Sequence, residues 1–195
     1  MTGALGPEFD AAAPTIRRVG PGAPAGVDGA SAPMAADSTF GVALVTLWHE
    51  VAQAGGVVGF ADSVDRAEIA RAATPVVEDL RKGRALGVAA DHGRRLVGVA
   101  VLRPGAGTRV HTGRIDLLMV EPALTGCGLG SGLLTALLDA ARGRGLARVG
   151  VEFGQDERVQ RFFERSGFTV WGRRPGWHRT GAGVDREEII MGVQL

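Results

Sequence analysis

The chain has 195 residues, 45% of them hydrophobic and 22% charged, with a formal net charge of +1. That is enough apolar material for the core of one domain, and the near-neutral balance gives no pull toward nucleic acid or an anionic membrane. A lone cysteine, Cys127, excludes an internal disulfide and any cysteine-built metal cage and fits a cytoplasmic setting, while no apolar run reaches the roughly 20 residues of a membrane span.

In chain order, residues 1–13 read as a tag or unstructured leader, and 14–195 as a single domain. Gly6-Pro7-Glu8-Phe9 has the look of a cloning remnant, and the opening residues lack the basic and apolar stretches of a signal peptide. Thr15 to Val19 alternates like a strand, and Pro21 to Ser38 reads as a flexible loop. Phe40, Leu44, Leu47 and Val51 recur at helical spacing, with Ser38 or Thr39 as N-cap and Gly55-Gly56 as the stop. A second helix is expected from Asp65 to Lys82, with a break or kink at Pro75. Two β-branched runs, 85–91 and 95–103, flank Asp91-His92-Gly93 and predict a hairpin. Residues 114–120 read as a strand buried on both faces and ending before Pro122. A helix carrying Leu129, Leu133 and Leu137 follows, then a strand at 148–153 and a helix with Val159, Phe162 and Phe163 that stops at Ser166-Gly167. Strands at 168–172 and 188–194 close the chain. The order β, α, α, β, β, β, α, β, α, β, β predicts a mixed α/β fold: a central mixed sheet of six to seven strands flanked by about four helices.

Glycines 126, 128, 130 and 132 lie between a strand and an amphipathic helix. A helix start offers unpaired N–H groups and the positive end of the dipole, and glycines let the backbone approach closely. Thr125-Gly126-Cys127-Gly128-Leu129-Gly130 therefore suits a phosphate or pyrophosphate. A Walker loop is excluded because no lysine stands near. The dinucleotide spacing G-x-G-x-x-G fails at Ser131 and Leu133. A glycine-rich turn with no ligand is the plain alternative.

The stretch Leu118-Met119-Val120-Glu121-Pro122, followed by Gly126-Cys127-Gly128-Leu129-Gly130-Ser131, resembles the acyl-CoA motif of the GNAT acyltransferase superfamily. Arg161-Phe162-Phe163-Glu164-Arg165-Ser166-Gly167-Phe168 resembles that superfamily's second signature, and the two stand in the right order and separation. Gly55-Gly56-Val57-Val58-Gly59-Phe60 and His111 are similar to the tabtoxin-resistance-like branch. The resemblance implies a GNAT-like domain with acetyl-CoA, or another acyl-CoA, between splayed strands. Backbone groups of Leu118, Met119 and Val120 would pair with pantetheine, and N–H groups from Thr125, Gly126, Cys127, Gly128, Leu129, Gly130 and Ser131 would hold the pyrophosphate. Asp156 and Phe163 would also touch the cofactor. Asp156 stands where asparagine is common, and Thr125 where arginine or glutamine is usual. Phe163 stands where a tyrosine normally protonates the leaving thiolate, and this chain has no tyrosine at all.

The implied activity is direct acetyl transfer to a primary amine of a small molecule, such as an antibiotic, toxin or amino-acid-like metabolite, without a covalent enzyme intermediate. Protein lysine is a further acceptor class, and the implied assembly is a monomer or homodimer. The amine must lose a proton before it attacks. Asp116 on the central strand, Glu152 on the next strand and His111 ahead of the central strand are the candidate bases. The competing reading is a non-catalytic acyl-CoA-binding module, which Phe163 and Thr125 favour.

Overall fold

The computed structural model describes residues 13–21, 38–180 and 182–195. The cloning remnant and nearly all of the loop read between Pro21 and Ser38 lie outside them. A seven-stranded sheet runs in the order β1-β2-β3-β4-β5-β7-β6. Its strands are β1 Thr15–Val19, β2 Leu86–His92, β3 Arg95–Pro104, β4 Thr112–Val120, β5 Arg148–Gly154, β6 Thr169–Arg179 and β7 Asp185–Gln194. Four α-helices cover it: α1 Ser38–Gln53, α2 Arg66–Arg81, α3 Leu129–Gly143 and α4 Glu157–Arg165. The fold class and element order match the sequence expectation.

The helices divide the core in two. Leu44, Leu47 and Val51 of α1 and Ile69, Val76 and Leu80 of α2 bury one sheet face, together with Val99, Val101, Leu117 and Met119. Leu133, Leu134 and Leu137 of α3 and Phe163 of α4 bury the other, with Leu102, Ile115, Val149, Val151 and Phe153. Each helix carries its apolar residues three and four apart, so one stripe meets the sheet.

Local chemistry accounts for most boundaries. Asp65 caps α2 by accepting from the Ala67 N–H at 3.1 Å. Helix α2 continues through the expected break at Pro75, an exposed residue whose missing N–H leaves only one carbonyl without its partner. The β2–β3 loop is Gly93-Arg94, shorter than the sequence suggested, with Gly93 at φ 60° as two-residue hairpin turns require. Strand β4 is not buried on both faces throughout: Ile115, Leu117 and Met119 are buried, whereas Leu118 and Val120 are half-buried. The last hairpin is longer than expected, because β6 reaches Arg179 and β7 starts at Asp185.

Candidate active site

Between β4 and β5 the only parallel ladder among the described residues is cut short. Thr112 to Ile115 pair with Arg148 to Val151, and there the pairing stops. Beyond the fork β4 keeps only β3, and β5 keeps only β7. One edge of 116–120 therefore presents backbone N–H and C=O groups to an open cleft, which an extended ligand can pair as an added strand. A bulge helps to open it: Val101 pairs with Leu117 and Leu102 with Ile115, leaving Asp116 as the extra residue. The bulge also reverses the facing pattern, so that Ile115 faces α3 while Leu117 and Met119 face α1 and α2.

The glycine turn stands at the mouth of this fork. A 3₁₀ turn, Pro122–Leu124, leads into it from β4. Gly126 and Gly128 adopt φ 87° and 89°, which only glycine takes without strain. Gly128 is the N-cap of α3, and its carbonyl accepts the Gly132 N–H at 3.0 Å. Among the described residues no acceptor takes the N–H groups of Gly126, Cys127, Gly128, Leu129, Gly130 or Ser131. Six free donors at a helix start form an anion cradle. Thr125 is different: its N–H donates to the Pro122 carbonyl at 3.2 Å. The Cys127 thiol donates to the Leu124 carbonyl at 2.8 Å, so it closes the turn rather than facing a substrate. A Cβ at Gly130 would lie 3.5 Å from the Phe162 ring and 3.7 Å from Val120, which places Gly130 where α3, α4 and β4 converge.

Asp156 caps α4, accepting from the Arg158 and Val159 N–H groups at 2.8 and 3.2 Å. Burial pushes its carboxyl up, but the Arg158 guanidinium and those two N–H groups outweigh this and hold it below the usual carboxylate range. Phe163 is buried and packs among Phe153, Phe162 and Phe168 with ring centroids 5.1 to 5.7 Å apart. The half-buried ring nearer the fork is Phe162.

Two of the three candidate bases flank the fork, and the third does not. Asp116 and Glu152 are the first residues beyond the last parallel pair, and both point to the sheet face opposite α3. Asp116 is clamped by Arg103 at 3.0 Å and Arg114 at 3.0 Å. Arg103 also reaches Asp79 of α2 at 2.9 Å. There burial pushes the Asp79 carboxyl up, while Arg84 and Arg103 pull it further down and hold it low. Glu152 is freer, with Arg174 at 3.5 Å and 30% of its side chain exposed. His111 is exposed at the closed end of the strand pair, where its carbonyl accepts the Ala147 and Arg148 N–H groups.

Arg174 and Glu188, which the sequence reading passed over, share the face with Glu152. Glu188 is buried, 2.7 Å from Arg174 and 3.1 Å from His178 Nε2. Arg174 also lies 5.1 Å from the Trp177 ring centroid. The signal was strand alternation: Ile189 and Met191 are core, so Glu188 must face the other way. Arg142 and Arg144 sit at the far end of α3, about 20 Å of helix from the glycine turn at about 1.5 Å per residue, and bind Asp139 and the Gly83 carbonyl. Among the described residues no cluster of metal-ligating side chains occurs, and no helix is long and apolar enough to cross a membrane.

Solved structures share this architecture. An acetyltransferase of the GNAT family from Streptococcus pneumoniae aligns with a TM-score of 0.66 at 16% identity, over 80% of this chain and 94% of that one. A Salmonella typhimurium protein solved with its cofactor acetyl-CoA gives 0.69 at 20% identity, over 94% and 95%. The ribosomal-protein-alanine N-acetyltransferase of Brucella melitensis gives 0.67 at 18% identity, over 82% and 97%. No curated protein matches the sequence. The profile of the acetyltransferase (GNAT) family matches residues 45–168, a span that takes in the fork, the glycine turn and α4, and the chain therefore belongs to that family.

Proposed function

We propose that this acetyltransferase moves the acetyl group of acetyl-CoA directly to a primary amine of a small molecule. The observation that carries the reading is the combination of the β4–β5 fork with six unpartnered N–H groups from Gly126 to Ser131 at its mouth. The open edge of Leu118, Met119 and Val120 suits the pantetheine arm, and the glycine turn suits the pyrophosphate. The Salmonella typhimurium neighbour with acetyl-CoA supports this choice of ligand. The setting is cytoplasmic on this reading.

On the opposite side of the fork, Glu152 is the carboxylate that meets the acceptor as its ammonium. Asp116 keeps two arginines in place and is a poorer partner for that ammonium, and His111 is too far along the strands. A backbone N–H of β4 near Met119 or Val120 would stabilise the tetrahedral oxyanion. Phe163 supplies no proton, and none is required, because a thiol of pKa near 8.5 leaves as its thiolate at neutral pH at modest cost. The packing of Phe163 inside the aromatic cluster favours a second reading, an acyl-CoA-binding module without turnover.

Calorimetry with acetyl-CoA, together with a free-thiol assay over a panel of primary amines, separates the two. Binding with amine-dependent CoA release is expected. Binding with no release from any amine leaves the module, and no binding overturns both.

A further inference from the structure

We infer that His178, oriented by Glu188, is the group that takes the proton from the acceptor amine. The inference rests on the acetyl-transfer reading and deepens it.

Position comes first. Ile115 and Val151 form the last pair before the fork. Three residues further, β5 reaches Gly154, and β4, with Asp116 bulged out, reaches the level of Leu118 and Met119. That is the stretch that suits the thioester end of pantetheine. A Cβ on Gly154 would lie 3.3 Å from the His178 ring, so the imidazole rests directly on the glycine backbone. Glu152 lies two residues deeper, beside the fork itself. A Cβ at 154 would crowd the ring, which would have to give by a few tenths of an ångström.

Orientation comes next. Arg174 pairs with Glu188 and His178 with Arg186, so four steps along β6 match two along β7. The additional residues, within Pro175-Gly176-Trp177, loop out, with Gly176 at φ 65°, and return His178 to the face that carries Glu188. Nε2 lies 3.1 Å from the Glu188 carboxylate. An ionised carboxylate only accepts, so Nε2 carries the hydrogen and Nδ1 keeps its lone pair. Among the described residues Nδ1 has no hydrogen-bond partner, and 37% of the side chain is exposed. A buried acid fixing one ring nitrogen while the other stays open is the arrangement of a general base. Glu188 touches the ring directly, Arg174 pairs with that carboxylate, Arg186 stands opposite the ring in register, and Glu152 approaches through Arg174. Arg174, 2.7 Å from the Glu188 carboxylate, holds it in place, and Glu188 stabilises the imidazolium once it forms.

The step balances. The acceptor ammonium gives one proton to Nδ1. Its nitrogen bonds to the thioester carbon, and the C–S bond breaks. The sulfur departs as thiolate, the nitrogen's second proton then passes to it to give the CoA thiol, and His178 releases its proton to solvent.

Two measurements test this. In uniformly ¹⁵N-labelled protein, long-range ¹H–¹⁵N spectra should show neutral His178 with its hydrogen on Nε2, assigned by the loss of its signals in His178→Gln. Saturating acetyl-CoA should move the His178 Nδ1 resonance and leave those of His49, His92 and His111 in place. An unmoved Nδ1, or a hydrogen on Nδ1, overturns the inference. With an amine that supports turnover, His178→Gln should lower kcat about 100-fold and abolish the acid limb of its pH profile, with the KM for acetyl-CoA little changed. Glu188→Gln should move that limb to lower pH. A His178→Gln enzyme that keeps both rate and limb overturns the inference while leaving acetyl transfer standing. A wild-type protein that acetylates no amine overturns the acetyl-transfer reading, and the inference with it.

Discussion

Asp156 is the residue at which helix cap and charge meet. Its carboxylate caps α4, and its depressed pKa ties that cap to pH. The unfolded carboxyl titrates near pH 3.9, so the stabilisation is complete above that value and is lost as pH falls through the lower folded value. Asp79 adds to stability with the same sign. Asp156→Ala should cost about 1 kcal/mol of stability at neutral pH, read from urea unfolding, and the deficit should shrink below about pH 4. Another single-residue dependence lies under Trp171. Its ring would lie 2.2 Å from a Cβ on Gly192, so the indole needs a bare backbone there. Gly192→Ala should lose about 1–3 kcal/mol by displacing the ring, visible as a lower Tm and a changed tryptophan fluorescence spectrum. The need for glycine at 192 could not be read from the sequence, because the indole that lies on it comes from another strand.

At the scale of elements, the turn into α3 shows what local sequence can dictate. Alternate glycines between a strand and a leucine-rich helix predicted an anion cradle, and the left-handed φ values of Gly126 and Gly128 supply its geometry. Gly126→Ala and Gly128→Ala should each cost about 1–2 kcal/mol from the left-handed backbone alone. Each should also weaken acetyl-CoA binding measured by calorimetry, without changing the circular dichroism spectrum. Helix α2 shows the limit of a local rule. Pro75 predicts a break, yet Ile69, Ala73, Val76 and Leu80 are all buried against the sheet and α1, and that packing outweighs one lost hydrogen bond. The β6–β7 hairpin shows a second limit. Its residues near 173–179 carry Arg, Pro, Gly and Trp, which look like loop, and pairing with β7 makes them strand.

For the whole molecule, the fork opens between the two layers. The α3 side offers the glycine cradle, and the other side offers Glu152, Arg174, His178 and Glu188. A ligand that threads the gap binds only the folded chain, so it should raise Tm by mass action. At about 100 times its dissociation constant, acetyl-CoA adds about 2.7 kcal/mol, or several degrees for a domain of this size, in differential scanning fluorimetry. No shift at that excess would argue against the cradle.

The sequence by itself determined the order of elements, the two apolar helix pairs and the glycine turn ahead of α3. Each is written in neighbouring residues at periods of two or 3.6, or in glycines that only a special backbone needs. It also pointed to Asp116 and Glu152, because a carboxylate within an apolar strand stands out. Tertiary structure decided what those carboxylates face. Asp116 is held by Arg103 and Arg114, Glu152 stands nearly free, and His111 lies at the closed end of the strands. It also brought together Gly154, His178 and Glu188, which lie on three strands and are separated by up to 34 positions in the chain. No local pattern encodes such a meeting, since strand register, bulges and the fork arise only when the whole sheet assembles.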